Sequence, residues 1–168
     1  AERVGSHGGS LRATVQLAGG PRRAAASLGE RIDEERALGL DRADTLKGFG
    51  AKIDTIKRQL TGCLKDLKAE GLSIAGFGAP AKATTLMYHF GIGPEFIDFI
   101  VDDSPLKQGL YSPGMHIPVL PSSALYDKKP GAVVVLAWNF ADAIIANHAA
   151  YREAGGRFIV PLPEVTLR

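Results

Sequence analysis

The sequence predicts an α/β fold in which a mostly parallel sheet carries helices on both faces. After residue 71, short apolar runs alternate with helix-like stretches, the order of successive βαβ units. The run Val133–Ala137 is continuously apolar, as expected of a strand covered on both faces. A glycine-containing turn joins the first strand of this region directly to a helix. Together these features favour a doubly wound, Rossmann-like sheet, preceded by an N-terminal strand and a long amphipathic helix.

The composition indicates a single globular domain. The 168 residues are 45% hydrophobic, which is enough for one domain with its own core. The 20 basic and 18 acidic residues are spread along the chain, which argues against nucleic-acid binding. The single cysteine, Cys63, can form neither an internal disulfide nor a zinc site. Because no apolar run approaches the length of a membrane span, we expect a soluble, cytoplasmic protein without a bound metal.

The first predicted element is a strand over residues 11–17, where apolar and polar residues alternate. Only ten residues, rich in glycine, precede it, and we expect none of them to pair with it. Residues 22–40 contain few large apolar side chains and are interpreted as a connector.

The clearest element is a long helix with a regular apolar stripe. Its members are spaced three or four residues apart: Leu46, Phe49, Ile53, Ile56, Leu60, Leu64 and Leu67. Gly71 stands where a left-handed residue would end the helix. The stripe can pack on the protein's own core or form the seam of a coiled-coil homodimer, and the spacing leaves both open.

The remaining elements follow from apolar runs and turn residues. We predict strands over residues 72–77, 97–101, 133–138 and 157–160, and helices over residues 80–90 and 140–154.

The turn after the first of these strands, Gly76–Lys82, has the G-x-G-x-x-A pattern of a phosphate-binding loop. In this interpretation Gly76 allows the tight turn, Gly78 leaves room for a ligand, and small Ala81 lets the helix approach the strand. The N–H groups of Gly78 and Ala79 would then face a diphosphate. The alternative is that the glycines only make a tight connection.

Lys82 places a cation in the first helical turn, where the helix dipole disfavours it. A bound phosphate would explain this position, although a solvated lysine remains the alternative. At position 78, we expect any Cβ to project into the space of the ligand, so that valine there would abolish binding at only moderate cost in stability.

The second strand of this region ends in Asp102 and Asp103, about where a dinucleotide-binding fold carries its ribose-binding carboxylate. NAD binding is therefore a rival hypothesis. Asp102 can equally cap the turn that begins at Ser104-Pro105.

Six motifs follow one another along the chain: His7–Arg12, Gly76–Lys82, Val101–Gly109, Pro113–Pro118, Leu136–Phe140 and Gly155–Pro163. They resemble the C-terminal domain of S-adenosylmethionine-dependent sugar C-methyltransferases. These enzymes methylate C3 of 4-keto deoxysugars attached to a nucleoside diphosphate, by removing a proton acidified by the keto group.

The resemblance implies a larger enzyme with an N-terminal zinc-binding region and a middle domain that binds S-adenosylmethionine. Residues 1–20 would hold the last strand of that middle domain, residues 21–70 the connector and long helix, and residues 71–168 the Rossmann-like C-terminal domain. The family's proton-abstracting residues lie upstream. We therefore assign no catalytic residue and no cofactor to this chain, and expect it to be inactive by itself.

The resemblance further implies that this domain holds a nucleoside-diphosphate sugar of the dTDP or UDP type. The candidate substrate-binding residues lie near the carboxyl ends of the strands: Gly76, Gly78, Ala79, Lys82, Asp102, Asp103, Lys107, Trp138 and Asn139. Trp138 can stack on a base or sugar or pack at the sheet edge. His7 and His116 are either hydrogen-bonded loop histidines or contributors at the mouth of the active site.

The sequence is also compatible with two other functions. The chain can be a free-standing NAD(P)- or nucleotide-binding Rossmann module, or a structural domain that only covers a methyltransferase.

Overall fold

A computed structural model describes residues 1–168, except for the side chain of His7. The chain divides into two compact units, Ala1–Ile53 and Asp54–Arg168.

The first unit contains a short antiparallel ribbon and helical segments. Strand β1 (Glu2–Val4) pairs with β2 (Ser10–Arg12), and a 3₁₀ turn over Ser6–Gly8 lies between them. Helix α1 (Ala26–Ala37) follows, and none of its residues is buried. The boundary between the units falls within α2 (Ala43–Ala69).

The predicted N-terminal strand is present but shorter than expected. The prediction that nothing upstream pairs with it was wrong, since β1 supplies the partner. Because β1 is only three residues long, the ladder ends at Arg12 instead of continuing to Leu17. Val15 and Leu17 are each 89% exposed, so the half-buried strand expected over residues 11–17 does not form.

The second unit is built on a six-stranded sheet, counted over the described residues. Its strands are β3 (Ile74–Phe77), β4 (Phe99–Val101), β5 (Val119–Leu120), β6 (Ala132–Val135), β7 (Arg157–Val160) and β8 (Thr166–Leu167). The helices that follow α2 are α3 (Ala81–Phe90), α4 (Ala124–Lys128), α5 (Ala141–Asn147) and α6 (Ala149–Glu153).

The strand order is β5-β4-β3-β6-β7-β8, and every pair is parallel except β7 with β8. Right-handed crossovers require α3 and the later helices to lie on opposite faces of the sheet, because their connections run in opposite directions. Residues of α4, α5 and α6 accordingly share one apolar cluster with alternate residues of the strands. The predicted Rossmann-like class is confirmed.

The differences from prediction concern short elements. Strands β5 and β8 contain two residues each and α4 contains five, so none shows a recognisable period. The helix predicted over residues 140–154 is two helices that meet at His148.

Helix α2 packs on the protein's own core through part of its apolar stripe. Its buried residues are Leu60, Leu64 and Leu67. Lys57 Nζ donates a hydrogen bond of 2.8 Å to the carbonyl oxygen of His89 at the end of α3. Leu46 and Phe49, at the start of the helix, are exposed. The homodimer seam stays a prediction, and only this first part of the stripe is left to form it.

Within the part of the chain that the structure describes, no helix combines the length and apolarity that a membrane crossing requires.

Candidate functional site

The sheet has a topological switch point between β3 and β6. These strands are parallel neighbours, yet the chain leaves β3 towards β4 on one side and leaves β6 towards β7 on the other. In open α/β sheets, ligands bind in the crevice that such a divergence leaves at the carboxyl ends of the strands. Here the turn Gly78–Pro80 follows β3, and a 3₁₀ turn over Trp138–Phe140 follows β6.

A lysine and a tryptophan meet at this point. Lys82, in the first turn of α3, holds its Nζ 4.0 Å from the centre of the Trp138 ring. The electron-rich face of the ring attracts the ammonium group and offsets its unfavourable position in the helix dipole. Burial lowers the pKa of Lys82. Trp138 is itself partly buried against the apolar cluster, so its ring provides a fixed support for the cation.

Asp102 connects the segments that follow β3 and β4 through hydrogen bonds. Its Oδ2 accepts hydrogen bonds from the N–H of Ala79 at 2.7 Å and from Lys107 Nζ at 3.0 Å. Its Oδ1 accepts from the N–H of Ser104 at 2.8 Å. Burial is the largest single influence and raises the pKa of Asp102, but the bonds from Ala79, Ser104 and Lys107 together hold this pKa below its ordinary value.

These bonds change the interpretation of the glycine loop. The N–H of Ala79 faces the carboxylate of Asp102, and the N–H of Gly78 donates to the carbonyl oxygen of Val101 at 2.7 Å. Neither group is directed at a diphosphate, since each already has an acceptor. Asp102 likewise has three donors and is only 7% exposed, which does not suit a ribose-binding carboxylate. Of the two roles considered for Asp102, the structure supports the turn cap at Ser104.

Gly78 is required for a different reason from the one predicted. Its φ is +87°, in the left-handed region, and a Cβ built there would lie 2.6 Å from the Cβ of Ala137. The expectation that this Cβ would enter ligand space was therefore wrong, because it would meet the chain that leaves β6.

The other small residues of the loop also have packing roles that differ from the prediction. Gly76 lies inside β3, where a Cβ would approach Leu136 Cδ1 to 2.8 Å. Ala81 is exposed, and the buried alanine of this helix is Ala83. Ala81 is therefore not the residue on which packing of this helix depends.

The structure brings some of the remaining candidates to the same end of the sheet. Asp103 is exposed and accepts a hydrogen bond from the hydroxyl of Ser122, which follows β5. Lys107 is held by Asp102. Asn139 is exposed in the turn beside Trp138.

His116 does not join this group. His116 has a φ of +53° and lies in the turn closed by the Tyr111–Pro118 bridge, ahead of β5. A side chain at neighbouring Gly114 would meet the ring of Tyr88, in the last turn of α3. His116 is therefore at the amino end of the sheet, opposite the switch point. The side chain of His7 lies outside the described residues.

Comparison with known proteins identifies the chain's relatives. Residues 5–163 match the family model described as the C-methyltransferase C-terminal domain. The chain is also 34% identical over 158 residues to the C-methyltransferase NovU of Streptomyces niveus. The matched region is 94% of this chain and 38% of that relative.

The chain belongs to the C-methyltransferase C-terminal domain family. The resemblance inferred from the six motifs is confirmed.

Sequence reasoning did not single out one polar pair in this family member. Tyr126 Oη and His148 Nδ1 are 2.9 Å apart, and the His148 ring is 5.0 Å from that of Phe77 at the end of β3. Burial lowers the pKa of His148, and the negative charge of Asp103 acts in the opposite direction. The pair joins α4 to the junction of α5 and α6. No local pattern could have revealed it, because the two residues are 22 positions apart.

Replacing Asp102 with asparagine should destabilise the domain and change its response to acid. Removing a buried charged acceptor that binds three donors should lower the free energy of unfolding by about 1–3 kcal/mol at pH 7. Because the folded pKa lies below the unfolded value, the carboxylate stabilises the fold above about pH 4 and loses that effect as pH falls through the folded pKa. Asp102→Asn should therefore show a smaller stability loss between neutral and acidic pH.

Urea unfolding at pH 7 and about pH 3 measures both effects. The control is Asp103→Asn, an exposed neighbour, which should change stability at pH 7 by less than about 0.5 kcal/mol. Equal acid sensitivity of the wild type and Asp102→Asn would contradict the role given to Asp102.

Gly78→Ala should destabilise the protein whether or not a ligand is present, through backbone strain and contact with Ala137. Gly91→Ala is a matched control: Gly91 has a φ of +68° but nothing within 4 Å of its added Cβ. We expect a cost of about 1–2 kcal/mol for Gly91→Ala and a larger one for Gly78→Ala. Equal losses in denaturant unfolding would show that the approach of Ala137 has no energetic consequence.

Proposed function

We propose that this chain is the substrate-holding part of an S-adenosylmethionine-dependent C-methyltransferase that acts on a nucleoside-diphosphate 4-keto-deoxysugar. Membership of the C-methyltransferase C-terminal domain family supports the reaction class. The observation that carries the assignment of substrate binding is the Lys82–Trp138 pair at the switch point of the sheet. A cytoplasmic location stays our prediction from the single cysteine.

Lys82 is the group that would contact the diphosphate. Its ammonium group lies over an uncharged ring and forms no ion pair with a carboxylate of the described residues, unlike Lys107, which is paired with Asp102. A lysine with a lowered pKa in a partly buried position gains from an anion that replaces lost hydration. The loop amides of Gly78 and Ala79 have no part in this binding.

Trp138 acts as a positioning residue in this proposal. The ammonium group of Lys82 occupies one face of the ring, so a nucleotide base could stack there only if Lys82 moved away. The ring orients the cation towards the crevice. Asp103 and Asn139, both exposed at the same end of the sheet, are candidates for contacts to the sugar.

S-adenosylmethionine does not fit the glycine loop of this chain. The N–H groups of Gly78 and Ala79 already have acceptors, and a Cβ added at Gly78 would reach Ala137, so the loop forms no open cradle. We therefore place the methyl donor in the remaining part of the enzyme and assign no methyl-transfer step to these residues.

The chain alone should not methylate a 4-keto nucleotide sugar, because we assign neither the donor site nor the proton-abstracting base to it. Incubation with the nucleotide sugar and S-adenosylmethionine, followed by mass spectrometry of the sugar, checks this expectation. A product heavier by one methylene unit would refute it.

Lys82→Ala should weaken the binding of dTDP or UDP about tenfold or more while leaving the fold intact. A charge-assisted phosphate hydrogen bond contributes about 1.5–3 kcal/mol, which corresponds to that loss. Trp138→Leu should weaken binding in the same direction, since the cation loses its support. Isothermal titration calorimetry measures the affinities, and circular dichroism checks the fold.

Lys65→Ala removes an exposed lysine of α2 and is the matched control, for which we expect unchanged affinity. Unchanged nucleotide affinity of the Lys82→Ala variant would show that Lys82 is a solvated surface residue and does not bind the diphosphate. If the wild type binds neither nucleotide, the domain has only a structural role; preference for NAD would favour a dinucleotide-binding module.

A further inference from the structure

Phe140 is an exposed aromatic residue at the switch point of the sheet. Its side chain is 51% exposed, and in Asp54–Arg168, all of which the structure describes, no other phenylalanine is exposed. Single exposed apolar side chains are common on protein surfaces, so the location decides whether this one has a role. Phe140 lies in the 3₁₀ turn that follows β6, two residues beyond Trp138. It therefore places an apolar ring close to the proposed diphosphate contact.

The turn that carries Phe140 is held by backbone hydrogen bonds and by packing. The N–H of Phe140 donates to the carbonyl oxygen of Ala137 at 2.9 Å, and the N–H of Ala141 donates to that of Trp138. Ala141 is buried, as is Ile144 in the next turn of α5. These contacts fix the backbone at Phe140 while its ring stays partly in solvent. A ring on a fixed backbone loses little conformational freedom when a ligand binds to it.

Trp138, the neighbouring aromatic residue, is not free to stack on a nucleotide base. Nζ of Lys82 lies 4.0 Å from the centre of its ring, and the side chain packs against the apolar cluster of the sheet. A base on this ring would displace the cation that we assign to the diphosphate. Among the described residues no cation lies over the ring of Phe140. Phe140 can therefore contact a base while Lys82 keeps its position.

We propose that Phe140 stacks on the base of the nucleoside diphosphate whose phosphates Lys82 binds, so that the base lies over the end of β6. The inference rests on the proposed function for the presence of a nucleotide. Every base has a π face, so stacking on an aromatic side chain adds affinity with little dependence on which base is bound. A phenyl ring has no hydrogen-bonding group, and we therefore expect it to contribute equally to the binding of dTDP and UDP.

This position of the base also orients the sugar. Base and sugar are attached at opposite ends of the diphosphate, and the strand order places the end of β4 two strand spacings, roughly 10 Å, from that of β6. Asp103 follows β4, is exposed, and accepts a hydrogen bond from the hydroxyl of Ser122. Its carboxylate can also accept from sugar hydroxyls. Of the two candidates for sugar contacts, the orientation favours Asp103, because Asn139 shares the turn of Phe140.

Isothermal titration calorimetry with dTDP, UDP and inorganic pyrophosphate tests the stacking. Phe140→Ala should weaken the binding of both nucleotides about tenfold, as the loss of one stacked base predicts, and leave the affinity for pyrophosphate unchanged. Lys82→Ala should weaken the binding of all three ligands. The matched control is Tyr111→Ala, which removes an exposed ring beside β5, three strand positions from β6. This control should bind all three ligands as the wild type does.

Two further variants distinguish stacking from packing. Phe140→Tyr keeps an aromatic ring and should retain the nucleotide affinity. Phe140→Leu keeps an apolar side chain but has no π face, so it should lose about as much affinity as Phe140→Ala. It also serves if Phe140→Ala does not fold, which circular dichroism shows. Unchanged affinity of Phe140→Leu for dTDP and UDP, or an equal loss of pyrophosphate affinity, would overturn the proposal.

Asp103→Ala tests the orientation with UDP-glucose as the nucleotide-sugar probe. It should weaken the binding of UDP-glucose about fivefold and leave the affinity for UDP unchanged. An unchanged affinity for UDP-glucose, or an equal loss for UDP, would overturn the orientation. Unchanged binding of all ligands by Lys82→Ala would contradict the proposed function, whereas normal nucleotide binding by the Phe140 variants alone would contradict only this inference.

Discussion

The carboxylate of Asp102 connects the two strand ends on which the candidate site is built. It receives the N–H of Ala79 after β3 and the N–H of Ser104 after β4, and it holds Lys107 by an ion pair. In this position, the carboxylate of Asp102 is the anion that accepts a hydrogen bond from the loop after β3. The start of α3, and with it Lys82, is placed relative to the sheet by this internal contact instead of by a bound phosphate. A buried carboxylate with well-made hydrogen bonds rigidifies a connection that glycine alone would leave loose.

The fold was predictable wherever a long pattern existed. The stripe of α2 and the continuous apolar run around Val133–Ala137 gave the right element types, because burial on one or two faces leaves a periodic trace in the sequence. Strands β5 and β8 could not be found this way, since two residues carry no period. The break at His148 was also invisible, because the sequence on both sides of it favours a helix. At the amino end, apolar and polar residues do alternate over residues 11–17. The partner strand β1 is too short to pair with more than the first two of them, so the strand ends at Arg12.

The candidate site was predictable in location but not in the roles of its residues. The motif Gly76–Lys82 correctly marked a strand-to-helix turn at the carboxyl edge of the sheet. Which groups face the crevice depends on contacts between segments that are far apart in sequence. Ala137 leaves no room for a side chain at Gly78, and the N–H of Ala79 donates to Asp102. The contact between Lys82 and Trp138 also joins distant positions, and no spacing rule predicts it. Residue types alone could not distinguish an amide that awaits a phosphate from one that already has an acceptor.

Trp138 is the single tryptophan of the chain and lies at the switch point against Lys82. Fluorescence excited selectively in tryptophan therefore arises from one place, the crevice itself, without a background from elsewhere in the protein. An ammonium group 4.0 Å from the ring centre perturbs the indole electronically, so displacement of Lys82 by a ligand would alter the emission even if the backbone did not move. Trp138 is thus an intrinsic fluorescent reporter of ligand binding in the crevice.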